Sequence, residues 1–206
     1  MAQPATTAAP ARAANKLKAR DFATLGIFSA LLFVLTMAAG ALMTNPLFLM
    51  PWAPTVIALI GGPLYMVMVS KVHKTGAVLI PALVVGAIWA LMGGIVVFAG
   101  LAVAGVIGEI AVAKTGYKSF AAIVVAYVLF CVGYHVGSVS VAWIVTDAFA
   151  QFAGYPPELA AMVSAVVNSP NGYLSLVGAA AGAVVGAFFG RAVLKKHFVA
   201  AGIVRK

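Results

Sequence analysis

The chain alternates long apolar runs with short polar breaks. Six runs lie at about 22–43, 53–70, 77–92, 94–113, 120–145 and 173–189. Crossing a bilayer core takes roughly 20 predominantly apolar residues, and these runs approach or reach that length. Turn-forming and charged residues separate them, and a longer polar stretch at 146–172 precedes the last run. The pattern predicts an all-α integral membrane protein, folded as a compact bundle of six transmembrane helices.

Composition agrees with a membrane location. Hydrophobic residues make up 64% of the 206 positions, charged residues only 8%, and the mean hydropathy is +1.11, whereas soluble domains carry about 25% charged residues. Six spans leave no room for an extramembrane catalytic domain. The Ala/Pro/Thr-rich segment 1–15 predicts a disordered cytoplasmic tail before a membrane domain at 16–206. The first apolar run exceeds the roughly 7–15-residue core of a signal peptide, so we expect an anchored N-terminus.

The basic residues are distributed unevenly between the connections. The net charge is +9, from 13 Lys and Arg against 4 Asp and Glu. All 13 lie before span one, after spans two and four, or after span six, and the connections after spans one, three and five contain none. Because basic residues concentrate in cytoplasmic loops, this distribution predicts that both termini are cytoplasmic. The surplus charge therefore reflects topology, and we expect no nucleic-acid partner.

Motifs of catalysis are missing from the sequence. It contains no G-x-x-x-x-G-K-[ST], H-E-x-x-H, G-x-S-x-G or C-x-x-C, which excludes the usual nucleotide-binding, zinc-protease, hydrolase and thiol-redox sites. The single Cys131 cannot form an intrachain disulfide or a multi-cysteine metal site. We expect no enzymatic activity, no cofactor and no metal.

Small residues recur at four-residue spacing on several spans, which lets transmembrane helices approach closely. On spans three, four and six the stripes favour packing inside the bundle. On span one, the pair Ala19 and Ala23 and the offset pair Gly26 and Ala30 are candidates for contact with a partner protein.

The tripeptide Lys-Thr-Gly occurs twice, at 74–76 before span three and at 114–116 before span five. We interpret the two copies as similar turns in which glycine supplies a left-handed cap.

Two ionisable residues lie within or near the apolar layer, where such groups are candidates for function. Glu109 is about one turn from Lys114, which favours an interfacial carboxylate over an ion site. His135 falls in the outer half of span five, beside Tyr134 and Ser138. It is equally consistent with a hydrogen-bonded packing residue and with a ligand contact.

Polar and aromatic residues otherwise gather toward the predicted outer face. Tryptophans at this level often anchor the interface, but amide, hydroxyl and carboxylate groups above an apolar bundle can also orient a small molecule in a pocket. We favour the pocket. Its predicted solute-binding residues are Asn45, Trp52, Trp89, His135, Ser138, Trp143, Asp147, Asn168 and Asn171.

Four segments resemble a known family. They are Arg20-Asp21 leading into span one, GGPLYMVMVSKVHKTGAVLI at 61–80, GEIAVAKTGYKSF at 108–120 and LKKHFVAAGI at 194–203. Together they resemble the MptD/Trep-Strep family, over about residues 16–204. Members of that family are classed as substrate-binding S components of energy-coupling factor (ECF) transporters in bacterial cell membranes.

The resemblance implies a six-helix subunit that captures a vitamin-like micronutrient on the outer side. A transmembrane T component and two ATP-binding-cassette ATPases are the implied partners, and ATP hydrolysis takes place only in the ATPases. The small-residue stripe on the first helix contacts the T component in this family, which assigns coupling to Ala19, Ala23, Gly26 and Ala30. Two alternatives remain open: a stand-alone proton-coupled transporter using His135 or Glu109, and a non-transporting membrane scaffold or small membrane enzyme.

Overall fold

The computed structural model describes residues 16–43, 47–144 and 156–195. This part of the chain is helical, which confirms the predicted class. The principal helices are α1 (Ala19–Met43), α2 (Ala53–Lys71), α3 (Leu79–Leu91), α4 (Ile95–Ala113), α5 (Phe120–Ile144), α6 (Pro157–Val167) and α7 (Pro170–Val193). A 3-10 helix, Leu47–Trp52, precedes α2, and α5 contains a π-helical turn, Val136–Ser140. The predicted tail at 1–15 and the candidate site residues Asn45 and Asp147 lie outside the described residues.

Within the described residues, five helices are long and apolar enough to cross a membrane: Ala19–Ala41, Leu49–Lys71, Ile95–Ala113, Phe120–Ile144 and Pro170–Val193. The predicted third span is α3, which has 13 residues. At about 1.5 Å per residue it measures roughly 20 Å, less than the roughly 30 Å of a bilayer core. The count of six spans and the cytoplasmic position of both termini therefore stay predictions.

Helix α6 lies in the stretch predicted as a polar connection, and that prediction is wrong for residues 157–167. Apolar side chains recur there at three- and four-residue spacing, and Ala160, Val163 and Val167 are buried. Val163 and Val167 form a small separate core with Val139 and Ala142 of α5. The helix therefore covers the last turns of α5.

Helix α7 packs along α2 with almost no space between the two backbones. A Cβ atom added at Gly62 would run into the Gly186 carbonyl, and one at Gly190 would lie 2.8 Å from the Gly62 carbonyl oxygen. Gly100 of α4 and Gly133 of α5 meet in the same way. The small residues on α4 and α7 therefore serve internal packing, as predicted for spans four and six, and the glycines that face them on α2 and α5 do the same.

The described lysines and arginines lie at one end of the bundle, called the basic end below, where α1 and α3 begin and α2, α4 and α7 end. Lys74 Nζ lies 2.6 Å from Asp21 Oδ2 and joins the α2–α3 connection to the start of α1. The Arg191 guanidinium lies 4.3 Å from the centre of the Phe120 ring. One acidic and one aromatic side chain thus hold two of the cations in place.

Glu109, on the last turns of α4, caps the start of α3. Its Oε1 accepts hydrogen bonds from Gly76 N (2.7 Å) and from the Tyr117 hydroxyl, and its Oε2 accepts from Val78 N (2.9 Å) and Leu79 N (3.0 Å). The residue is 7% exposed. Since a helix N-terminus has unpaired N–H groups and a positive dipole end, this carboxylate has a structural role.

The two Lys-Thr-Gly turns meet at this carboxylate. Gly76 (φ +98°) and Gly116 (φ +60°) both adopt the predicted left-handed conformation. Neither is the C-cap residue of a helix, because α2 and α4 end at the caps Val72 and Lys114. Gly76 donates its N–H to Glu109, and Tyr117, next after Gly116, donates its hydroxyl. Burial and then the hydrogen bond to Glu109 raise the pKa of Tyr117 to about 12, so the phenol remains a donor at neutral pH.

Candidate functional site

A cavity of about 470 Å³ lies at the end of the bundle opposite the basic end. Its walls come from the second half of α1, the 3-10 helix, the start of α2, the α3–α4 hairpin and the π-helical turn of α5. Pockets that bind small molecules in proteins commonly measure about 300–1,000 Å³. The cavity therefore has the size of a small-molecule site.

The α3–α4 hairpin is tight where it borders the cavity. Gly93 (φ +93°) and a hydrogen bond of 2.7 Å from Gly94 N to the Trp89 carbonyl turn the chain back after α3. A Cβ atom at Gly137 would lie against the backbone of Val97, so α4 begins beside the π-helical turn of α5. Ile144 is seven residues farther along α5, which is about 10 Å of helix. Helix α5 thus continues past the start of α4, beside the cavity.

The wall is mainly apolar, with two aromatic rings and three thioethers. The Trp89 ring packs edge-on against Phe33 at 6.0 Å and lies 5.9 Å from the Tyr134 ring, centre to centre. Trp89 and Tyr134 line the cavity, as do Met37, Met50 and Met92. Among the described lining residues, none is Asp, Glu, Lys, Arg or His.

Polar atoms in the wall bond to one another. Trp89 Nε1 donates to Thr36 Oγ1 at 3.2 Å, and Thr36 Oγ1 donates to the Phe33 carbonyl at 2.7 Å. Ser138 Oγ donates to the Tyr134 carbonyl at 2.7 Å, within the π-helical region. The hydrogens of Thr36, Trp89 and Ser138 are therefore already bonded within the protein.

Of the predicted solute-binding residues, Trp89 and Ser138 line this cavity. Thr36, Tyr134 and the three methionines also line it, and the sequence did not single them out as site residues. One signal was available for Thr36, because it is a hydroxyl residue inside the long apolar run of the first helix. The methionines gave no such signal, since an apolar residue in an apolar run is indistinguishable from core.

His135 and Trp143 lie outside the cavity wall, in a layer between α5 and α7. His135 is completely buried, and its ring nitrogens are bonded to Ser140 Oγ (2.9 Å) and Ser175 Oγ (2.8 Å). Trp143 donates to the Val167 carbonyl at 2.8 Å, and its ring lies 4.7 Å from the Tyr173 ring, centre to centre, at a tilt of 43°. These contacts favour the packing interpretation of His135.

The remaining described candidates also bond within the protein. Trp52 Nε1 donates to Asn171 Oδ1 at 2.7 Å and joins the start of α2 to the start of α7. Asn168 Nδ2 donates to the Ser164 carbonyl at 2.9 Å, at the end of α6. Neither asparagine nor Trp52 is part of the cavity wall.

The four residues predicted to couple to a partner share the outer face of α1. Ala19, Ala23, Gly26 and Ala30 are all exposed, and a Cβ atom added at Gly26 would meet nothing within 4 Å. The opposite face of α1 buries Leu25, Ser29 and Leu32 in the bundle. The stripe on α1 therefore differs from those on α4 and α7, which pack internally.

No curated protein and no solved structure matches the chain. A family model described as "Hypothetical bacterial integral membrane protein (Trep_Strep)" matches residues 19–199, which include all seven helices. With five helices able to cross a bilayer, the protein is a multi-pass integral membrane protein. The chain belongs to the Trep_Strep family of hypothetical bacterial integral membrane proteins.

Proposed function

We propose that the protein is the solute-binding membrane subunit, or S component, of an ECF-type importer in a bacterial cell membrane. It holds a small solute in the cavity, which faces outward because the basic end faces the cytoplasm. A T component and two ABC ATPases associate with it and supply the energy. Both termini are cytoplasmic.

The two halves of α1 support this proposal, because one offers a surface to a partner helix and the other lines the cavity. Its first half presents Ala19, Ala23, Gly26 and Ala30 outward, where a second helix can approach closely. Its second half contributes Thr36, Met37 and Gly40 to the cavity wall. Gly26 and Gly40 are 14 residues apart, or about 21 Å along the helix. One helix thus joins a surface suited to a partner helix with a cavity suited to a solute.

Proton coupling through Glu109 or His135 has less support. Glu109 accepts four hydrogen bonds at the start of α3, and His135 is held between two serines. Neither residue lines the cavity. A carrier that exchanges protons at these groups would have to break the contacts that hold its helices in place.

Co-purification tests the proposal. The tagged protein is extracted from its host in mild detergent, and the associated subunits are quantified by mass spectrometry. We expect a T component and two ATPases with the wild type and with Gly40→Leu, and a large loss of all three with Ala23→Leu and Gly26→Leu. Solute uptake that continues unchanged after deletion of the ATPase genes would contradict the proposal, as would equal recovery of the partners with all variants.

A further inference from the structure

We propose that the solute is an uncharged, mainly apolar molecule that contains a ring, rather than an organic ion. This inference rests on the proposed function, because it assigns a chemical class to the solute of that site. The residues that line the cavity support this inference, because they are mainly apolar and those described carry no charge.

The described wall lacks charge of either sign. An ion moved from water into this space would lose hydration and find no counter-ion among the described lining residues, which is unfavourable in an apolar, membrane-embedded site. Glu109 belongs to α4, whose first turn borders the cavity, but it lies near the opposite end of that helix and accepts four hydrogen bonds there. The described wall therefore offers no full charge to balance either an anion or a cation.

The polar side chains of the wall are also poorly placed to bind an ion. Thr36, Trp89 and Ser138 each donate their hydrogen to another protein atom. A ligand with many polar groups would have to displace these bonds, and each exchange yields little net free energy. A ligand with one or two acceptors avoids that cost. The first turn of α4 borders the cavity at Ile95–Val97, where N–H groups without a partner in the helix can donate to such an acceptor. No described cation lies beside them in the wall to bind a full negative charge.

The apolar part of the wall favours a ring. Trp89 and Tyr134 present aromatic surfaces, which bind other rings in stacked or edge-on geometry. Met37, Met50 and Met92 add flexible, polarisable thioethers that adapt to an irregular outline. The volume of about 470 Å³ accommodates a two-ring molecule with space for a substituent.

Three naphthalene probes of matched size test the inference: neutral 2-acetonaphthone, anionic 2-naphthoate and cationic (2-naphthyl)methylammonium. Binding is measured by equilibrium dialysis of the protein in nanodiscs of zwitterionic lipid. Gly40→Phe is the blocked variant, because Gly40 lines the cavity and its Cβ direction is free of atoms within 4 Å. Gly26→Phe is the matched control, with the same substitution at an equally open position on the outer face of α1.

We expect saturable 1:1 binding of the ketone, at least roughly tenfold tighter than that of either ion. Gly40→Phe abolishes this binding and Gly26→Phe preserves it. If Gly40→Phe does not fold, as judged by gel filtration, Met37→Trp fills the same space. The inference is overturned if either ion binds as tightly as the ketone, if the ketone shows no saturable binding, or if the folded blocked variant binds it as well as the wild type does.

Failure of this inference is distinguishable from failure of the proposed function. If the partners co-purify but the ions bind best, the importer subunit remains and only the solute class is wrong. If the ketone binds selectively but no T component or ATPase is recovered, the cavity assignment stands and the ECF proposal fails.

Discussion

Replacing Glu109 by alanine tests whether this buried acid is a structural cap. The substitution leaves the N–H groups of Gly76, Val78 and Leu79 without the acceptor that now lies 2.7–3.0 Å away. Each buried donor that loses its partner costs about 1–3 kcal/mol, so three donors give roughly 3–9 kcal/mol. Water that enters from the basic end favours the lower limit. A loss of about 3 kcal/mol lowers Tm by about 6–12 °C in a chain of this size.

The assay is thermal unfolding in detergent, followed by intrinsic tryptophan fluorescence. Tyr117→Phe removes one of the four bonds to the carboxylate and should cost less, about 1–2 kcal/mol. Glu158→Ala is the matched control, because this acid is exposed at the start of α6. Its removal should change stability by no more than about 0.5 kcal/mol.

The order of the melting temperatures of these variants shows whether Glu109 is a structural cap. If Glu109→Ala unfolds within about 2 °C of the wild type, the carboxylate does not stabilise the start of α3 and our account of it is wrong. If that variant is also stable but has lost uptake driven by a pH gradient, Glu109 takes part in proton coupling and the alternative transporter is favoured.

Three other predictions follow from helix packing and from single contacts. Gly186→Val places a side chain against the Ala58 carbonyl and should prevent recovery of monodisperse protein on gel filtration. Gly26→Val, with open space around it, should be recovered as monodisperse protein in the same yield as the wild type. Equal recovery of the two variants would refute the close approach of α2 and α7. His135→Ala removes a completely buried side chain and both serine contacts, so the free energy of unfolding should fall by roughly 2–4 kcal/mol, with a matching fall in Tm. An unchanged Tm would show that these contacts contribute nothing to stability. Lys74→Ala should cost less than about 1 kcal/mol, and less still in high salt, because both partners of its ion pair are partly exposed; a larger loss would indicate a buried role.

The helical class and most helix bounds were predictable because span length and hydropathy are local properties. The run predicted at 53–70 is Ala53–Lys71, and the one at 94–113 is Ile95–Ala113. Helix α6 was missed since its 11 residues are too few to form a span, and its first residues, Pro157 and Glu158, are typical of a loop. A short helix that is stabilised by packing on α5 has only a weak signal of its own.

The candidate site was less predictable, because it depends on which side chains at the same depth in the bundle face the same space. Trp89 and Ser138 were identified as polar or aromatic residues near the correct end, and both line the cavity. Trp52 and Asn171 met the same criterion, yet they bond to each other across 119 positions of sequence. Hydropathy places a residue at a depth in the membrane, but only the packing of helices determines whether its side chain faces a neighbour or a space.

The π-helical turn at Val136–Ser140 determines where α5 tolerates the loss of a residue. Such a turn holds one residue more than an α-helical turn. Deleting one residue there would restore a regular α-helix with almost no rotation of the part beyond it, because the turn itself holds the extra residue. Deleting Val141, just beyond the turn, would instead rotate Trp143 by about 100° away from Val167 and Tyr173. The attachment of α6 to α5 would then be lost although no contact residue had been changed. The register of α5, more than the identity of any side chain near its end, sets the outline of that face of the protein.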